Sequence, residues 1–195
     1  MAAPLLLDIL WPIFLALGLE HARIEPGATA VTPLDLYDYP YSHSLVMTIV
    51  WSALFAGVHY AIRRDRRAAW VLAAGVFSHF ILDFVTHRPD MPLYPGGATR
   101  LGLGLWNSIA GTIAVEGSLW VGCVVLYATT TRSKDKIGSI AFWTYVALLS
   151  LAYAGDFMGP PPPSMEVLTI VSFVTWILIP WTWWFDHHRE VVSRA

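Results

Sequence analysis

His79, Asp83 and His87 stand four residues apart in the otherwise apolar stretch Phe77-Ser78-His79-Phe80-Ile81-Leu82-Asp83-Phe84-Val85-Thr86-His87. On an α-helix that spacing sets each residue one turn above the last, on a face that drifts by roughly 40° per step. Neutral imidazole nitrogen with carboxylate oxygen is the ligand mixture of catalytic zinc and related divalent sites, where three protein ligands leave a position for water. Water held there ionises near neutral pH and attacks an ester or phosphoester, and a carboxylate left free takes up the proton. Ionisable side chains at membrane depth cost about 3 kcal/mol each on insertion scales, so a group of them in an apolar segment is a functional signal.

The elements that must position these residues follow from composition. The chain has 195 residues, 56% hydrophobic and 13% charged, with ten tryptophans, whereas an average soluble domain is about 25% charged. A soluble fold of this size has too little polar surface to cover so much apolar material. Six apolar segments can be marked, at about 4 to 20, 43 to 62, 68 to 86, 108 to 129, 138 to 154 and 166 to 185. Most are close to the ~20 residues that a helix needs to cross a hydrocarbon core. Only a helix satisfies its own backbone groups there, and the segments are too long for barrel strands. The expected fold is all-α: a polytopic membrane protein, a six-transmembrane helix bundle forming a single integral membrane domain over residues 1–195.

Cytoplasmic loops retain Lys and Arg. The second connection holds Arg63, Arg64, Arg66 and Arg67, the fourth holds Arg132, Lys134 and Lys136, and the C-terminal tail holds Arg189 and Arg194. The other three connections together hold only Arg23, Arg88 and Arg100 beside six acidic residues, which predicts both termini on the cytoplasmic side of a plasma membrane. The N-terminal stretch lacks a basic n-region and a small-residue cleavage site and carries Asp8, so it reads as a retained first span. Trp and Tyr near the predicted ends fit interfacial belts. A net charge of −2 gives no basic surface for nucleic acid, and the single cysteine, Cys123, has no partner in the chain for a disulfide.

With this topology His79, Asp83 and His87 rise toward the outer face, His43 opens the second span on the same side, and Glu116 descends to the level of His79 in the fourth. The expected metal ligands are His43, His79, Asp83 and His87, around zinc or a similar divalent cation. Glu116 is the expected catalytic base or a fourth ligand. Asp8 falls toward the cytoplasmic end of the first span and is assigned to a polar partner on a neighbouring helix. Asp90, between Pro89 and Met91-Pro92, reads equally as a turn cap or as support for the site.

Two short elements carry a family resemblance. Ser42-His43-Ser44-Leu45 resembles the Thr-His-Ser element, and Ser78-His79-Phe80-Ile81-Leu82-Asp83 the Ser-His-x-x-x-Asp element, of the YdjM-like family of membrane-bound metal-dependent hydrolases. Thr86 and Pro92-Leu93-Tyr94-Pro95 extend the likeness, which runs from residue 42 to about 106. The resemblance implies His43, His79 and Asp83 as ligands and a bacterial inner-membrane location. His87 comes from the spacing alone. The family's early histidine has no counterpart within the first span, His21 at its outer end being the nearest.

The leading expectation is a metal-dependent hydrolase acting at the outer face on a phospholipid or another headgroup-bearing ester or phosphoester. The same buried groups also suit an ion-coupled transporter, with Asp8 and His59 continuing the polar path inward, or a structural membrane subunit. Haem held by paired histidines is a fourth reading, less suited to carboxylates lying one turn away. Oligomeric state has no signature in the sequence.

Overall fold

The computed structural model describes residues 2–192; Arg194 of the basic tail lies outside them. The chain is mostly helical. Helix α1 covers Leu6–Ala16, a single turn α2 covers Pro40–His43, and the long helices are α3 (Leu45–Arg63), α4 (Arg66–Thr86), α5 (Ile109–Thr130), α6 (Lys136–Met158) and α7 (Met165–His187). The last five are long and apolar enough to cross a membrane. Outward side chains such as Val58, Trp70, Leu126, Ile140 and Leu151 are exposed, as a lipid-facing surface requires.

Each long helix starts on a side chain that accepts from its first free backbone N–H groups. Ser44 accepts from Met47, Asp65 from Ala68, Ser108 from Gly111, Asp135 from Gly138 and Ser164 from Val167. In hydrocarbon or at its edge these donors have few other partners. Helix α5 carries a π-turn at Ile113–Gly117, which contains Glu116. Arg64, in the left-handed conformation at φ 55°, turns the chain between α3 and α4, and these two helices form the most extensive pairing in the molecule.

The first segment differs from expectation. Eleven helical residues span about 16 Å at 1.5 Å per residue, roughly half of a hydrocarbon core, so five helices rather than six are long enough to cross. Gly18 at φ 66° follows the helix end. At the other end, Ala3 and Leu7 pack on Val76 in the middle of α4. A β-carbon at Gly75 would come within 3.2 Å of that of Ala3, so glycine is what allows the approach. Thus α1 begins beside the middle of α4, not at its Arg66 end.

Three two-stranded antiparallel ribbons supplement the helices. Strands β1 (His21–Ile24) and β2 (Leu34–Asp38) pair, as do β3 (Met91–Pro92) with β4 (Arg100–Leu101), both at the bundle end where α4 finishes. Strands β5 (Thr131–Ser133) and β6 (Arg189–Val191) pair at the opposite end. The loop after β4 is pinned to the end of α4 by Leu103 N–H donating to Phe84 O and Gly104 N–H to His87 O, at 2.8 and 2.7 Å. Gly102 lies between them at φ 145°, where a β-carbon would sit 2.2 Å from Arg88 O. Replacing Gly102 with Ala should therefore cost about 1–3 kcal/mol, read as a lowered thermal midpoint in detergent; an unchanged midpoint would show that the crossing is looser than described.

Candidate metal centre

Two histidines arrive at one point from different elements, each with a fixed orientation. His79, about two turns before the end of α4, has Nδ1 2.7 Å from the carbonyl oxygen of Pro4. A carbonyl only accepts, so Nδ1 carries a proton, and in the neutral ring Nε2 presents a lone pair. His43 closes the α2 turn. Its Nδ1 lies 2.6 Å from Ser42 Oγ, and that hydroxyl lies 2.6 Å from Glu20 Oε2. With Ser42 donating to Glu20, His43 donates to Ser42 through Nδ1–H, so in the neutral ring Nε2 is again the free nitrogen. Glu20 also accepts the backbone N–H groups of Tyr41 and Ser42 at 2.7 Å each, so it is the buried anchor of the α2 turn. Burial pushes its carboxyl above the usual range, and the hydrogen bonds from Ser42 and Tyr41 partly offset this.

Two carboxylates face those Nε2 atoms. Asp8 Oδ1 is 3.6 Å from both, and Asp83 Oδ2 is 3.1 Å from His79 Nε2 and 3.8 Å from His43 Nε2. Buried Asp83 Oδ2 has no hydrogen-bond partner despite the 3.1 Å approach. A bare imidazole nitrogen and a carboxylate oxygen at these distances repel one another unless a proton on the ring or a cation lies between them. Asp8, His43 and His79 each offer one atom within 4.8 Å of the others, and among the described residues they are the group with metal-binding spacing. Two imidazoles and one or two carboxylates fit a borderline divalent ion such as zinc, so donor chemistry and the orphaned oxygen agree.

The cluster opens into a cavity of about 250 Å³ lined also by Trp11, Leu34, Leu36, Tyr39, His87 and Trp106. His87 is not part of the α4 stripe: the helix ends at Thr86 and His87 caps it in extended geometry, as Pro89 disfavours helix at Arg88 and has no N–H to continue the ladder. The ring stacks on Trp106 at 4.5 Å, and its Nδ1 lies 3.2 Å from Tyr39 OH and 3.3 Å from Asp90 Oδ1. Tyr39 donates to Asp90 at 2.7 Å. Burial first, and Asp90 second, hold the Tyr39 phenol well above its usual range, so it stays a neutral donor. Asp90 thus supports the site; its Oδ2 in turn accepts from Arg88.

Glu116 is not brought to the histidines. Its Oε1 accepts from Trp106 Nε1 at 2.9 Å, so the indole stands between Glu116 and His87. The fourth span starts after the pinned 100–108 loop, and that loop occupies the place the sequence had reserved for Glu116. Asp8, by contrast, joins the cluster because α1 is too short to carry it to the cytoplasmic end. His21 pairs with Asp38 at 3.0 Å on the β1–β2 ribbon and stays outside the site.

Residues 40–159 match the family described as YdjM inner membrane protein. The chain belongs to that family. The YdjM match includes His43, His79, Asp83, His87 and Glu116, while Asp8 and Glu20 precede it. No curated protein and no solved structure matches the chain. Reasoning from sequence missed Asp8 and Glu20 as members of the site. For Asp8 the signal was present, a carboxylate in an apolar helix, but an assumed full-length span set it at the wrong depth. For Glu20 the signal was weaker, since a carboxylate at a helix end is ordinarily solvated.

Ser42→Ala would leave a buried Glu20 oxygen and a buried imidazole N–H without partners, at about 1–3 kcal/mol. Thermal unfolding in detergent should show this as a clear fall in midpoint, whereas Ser42→Thr, which keeps the hydroxyl, should restore most of it. Equal loss in both variants would contradict the hydroxyl's bridging role.

Proposed function

We propose that the chain is a membrane-bound hydrolase dependent on a divalent cation, zinc in our reading. We take the cavity to face the outer side of the bacterial inner membrane and to act on a phospholipid or another headgroup-bearing ester or phosphoester. The observation that carries this is the approach of two oriented Nε2 atoms to Asp8 and to the unpartnered Asp83 oxygen. His43, His79, Asp83 and Asp8 are the residues that would hold the ion. A divalent cation there polarises a substrate oxygen and eases ionisation of water.

The protein's own residues do the rest. Pro4 O and the Ser42–Glu20 pair hold both imidazoles in one tautomer, which raises their basicity as donors. The sequence alone set His87 among the ligands and gave proton transfer to Glu116. The geometry favours His87 for the proton: it lines the cavity, Tyr39 and Asp90 hold Nδ1, and Nε2 has no hydrogen bond among the described residues. Glu116 then acts at a distance by holding Trp106 against His87. Trp11 and Trp106 narrow the space around the reacting group and limit water.

Orientation follows from the basic residues. Arg63, Arg64, Arg66 and Arg67, with Arg132 and Arg189 on or beside the β5–β6 ribbon, gather at the bundle end opposite the cavity, which we assign to the cytoplasm. A transporter would need polar groups continuing toward that end. Asp8 is drawn into the cluster instead, and His59 Nε2 has no hydrogen-bond partner, so the structure favours a one-sided site.

Purified protein should bind one divalent cation per chain, measured by elemental analysis after dialysis. His79→Ala should weaken binding by more than the about 10–100-fold that loss of an outer-shell partner costs. Unchanged metal content in that variant, or none in the wild type, contradicts the proposal. In a Cys123→Ala background, an impermeant maleimide applied to intact spheroplasts should label Gly96→Cys, and should label Asp65→Cys only after lysis. The reverse pattern overturns the assigned orientation.

A further inference from the structure

Resting on the metal-hydrolase reading, we infer that the substrate's reacting group is an uncharged carboxylic ester on an apolar body, and that phosphate esters are excluded. The argument is one of charge. Among the described residues no Lys or Arg lines the cavity. Asp8 and Asp83 bring two negative charges that a divalent cation only cancels, so nothing remains to balance an anionic phosphoryl group. Sites that bind phosphate ordinarily supply arginine, lysine or a helix N-terminus.

The guanidinium groups at this end of the bundle are all engaged elsewhere. Arg88 donates from its three nitrogens to Asp35, Asp90 and Ala28 O. Arg23 is held by Glu25 and Asp35, and Arg100 by Gly97 O at 2.6 Å. Asp35 is buried between the two arginines that hold it, so turning Arg88 toward the cavity would strip a buried carboxylate of one of its two cations and Asp90 of its guanidinium donor, an unfavourable exchange.

The remaining walls suit an acyl group. Trp11, Leu34, Leu36 and Trp106 offer apolar surface around the polar floor, and the volume of about 250 Å³ lies below the usual range for a whole ligand, about 300–1,000 Å³. The cavity therefore encloses the ester and the first carbons of its chain, with the rest extending toward lipid. Hydrolysis adds the oxygen of water to the carbonyl carbon and breaks the bond from that carbon to the alkoxy oxygen. One proton of the water passes to His87 and then to the leaving alcohol, giving a carboxylic acid and an alcohol with no other reactant.

The full chain, zinc-loaded in nanodiscs, can be offered p-nitrophenyl butyrate, bis(p-nitrophenyl) phosphate and p-nitrophenyl phosphate in parallel, with zinc content measured on the same samples. Measured as enhancement over each ester's own uncatalysed rate, butyrate turnover should exceed that of either phosphate by at least about 100-fold, as one uncompensated charge in a partly buried site implies. His79→Ala should abolish that turnover. Zinc-loaded protein that cleaves either phosphate faster, or that fails to cleave the butyrate, overturns the substrate inference and leaves the metal centre standing. Protein that holds no zinc overturns the underlying reading instead.

Discussion

Within an apolar bundle, two carboxylates and two imidazole nitrogens occupy one small volume, and their shared need for positive charge is the constraint around which the rest of the structure is arranged. The histidines cannot relieve it by turning, because Pro4 O holds His79 Nδ1 and the Ser42–Glu20 pair holds His43 Nδ1. Nor can Asp83 find another donor, since its inner oxygen is buried and unpartnered. A positive charge at the point they share meets that need, and no arginine or lysine is placed to supply it. On the proposed reading the architecture is a preorganised cation site in a low-dielectric setting, where unpaired groups are expensive.

Several features that look incidental serve this arrangement. Gly75 lets the start of α1 lie against α4, which brings both the Pro4 carbonyl and Asp8 to the level of His79. Gly102 lets the loop after β4 cross the backbone of Arg88, which sets Trp106 on His87. Glu20 is buried at the junction of α1 and the α2 turn, and through Ser42 it reaches a histidine it never touches. Arg88 ties the β1–β2 ribbon to Asp90, and so to the group that orients His87. Helix α1, the α2 turn, helix α4 and the loops beside them build the centre; helices α6 and α7 contribute none of its polar groups.

The long apolar runs were legible because hydrocarbon leaves a spanning chain only one local structure, and each of the last five segments is a helix within a few residues of its expected bounds. His43, His79 and Asp83 were legible as a group because helical phase and a short motif pointed to the same three positions. Depth was harder. Hydropathy over residues 4 to 20 does not reveal that the helix stops at Ala16, and with that misread Asp8 was sent to the wrong side. Helical phase also carried His87 one residue too far, since Pro89 ends α4 first. The place of Glu116 depended on how the loop from Gly96 to Ser108 folds back on α4, a non-local packing event with no periodic trace in the sequence.

The central claim is that these four side chains share one cation. X-ray absorption at the zinc edge, on wild-type protein purified without added chelator and reconstituted with one equivalent of zinc, reads the donor atoms directly. Two imidazole nitrogens with one or two carboxylate oxygens at about 2.0–2.2 Å is the result the structure predicts. A shell of water oxygens without imidazole scattering would contradict it.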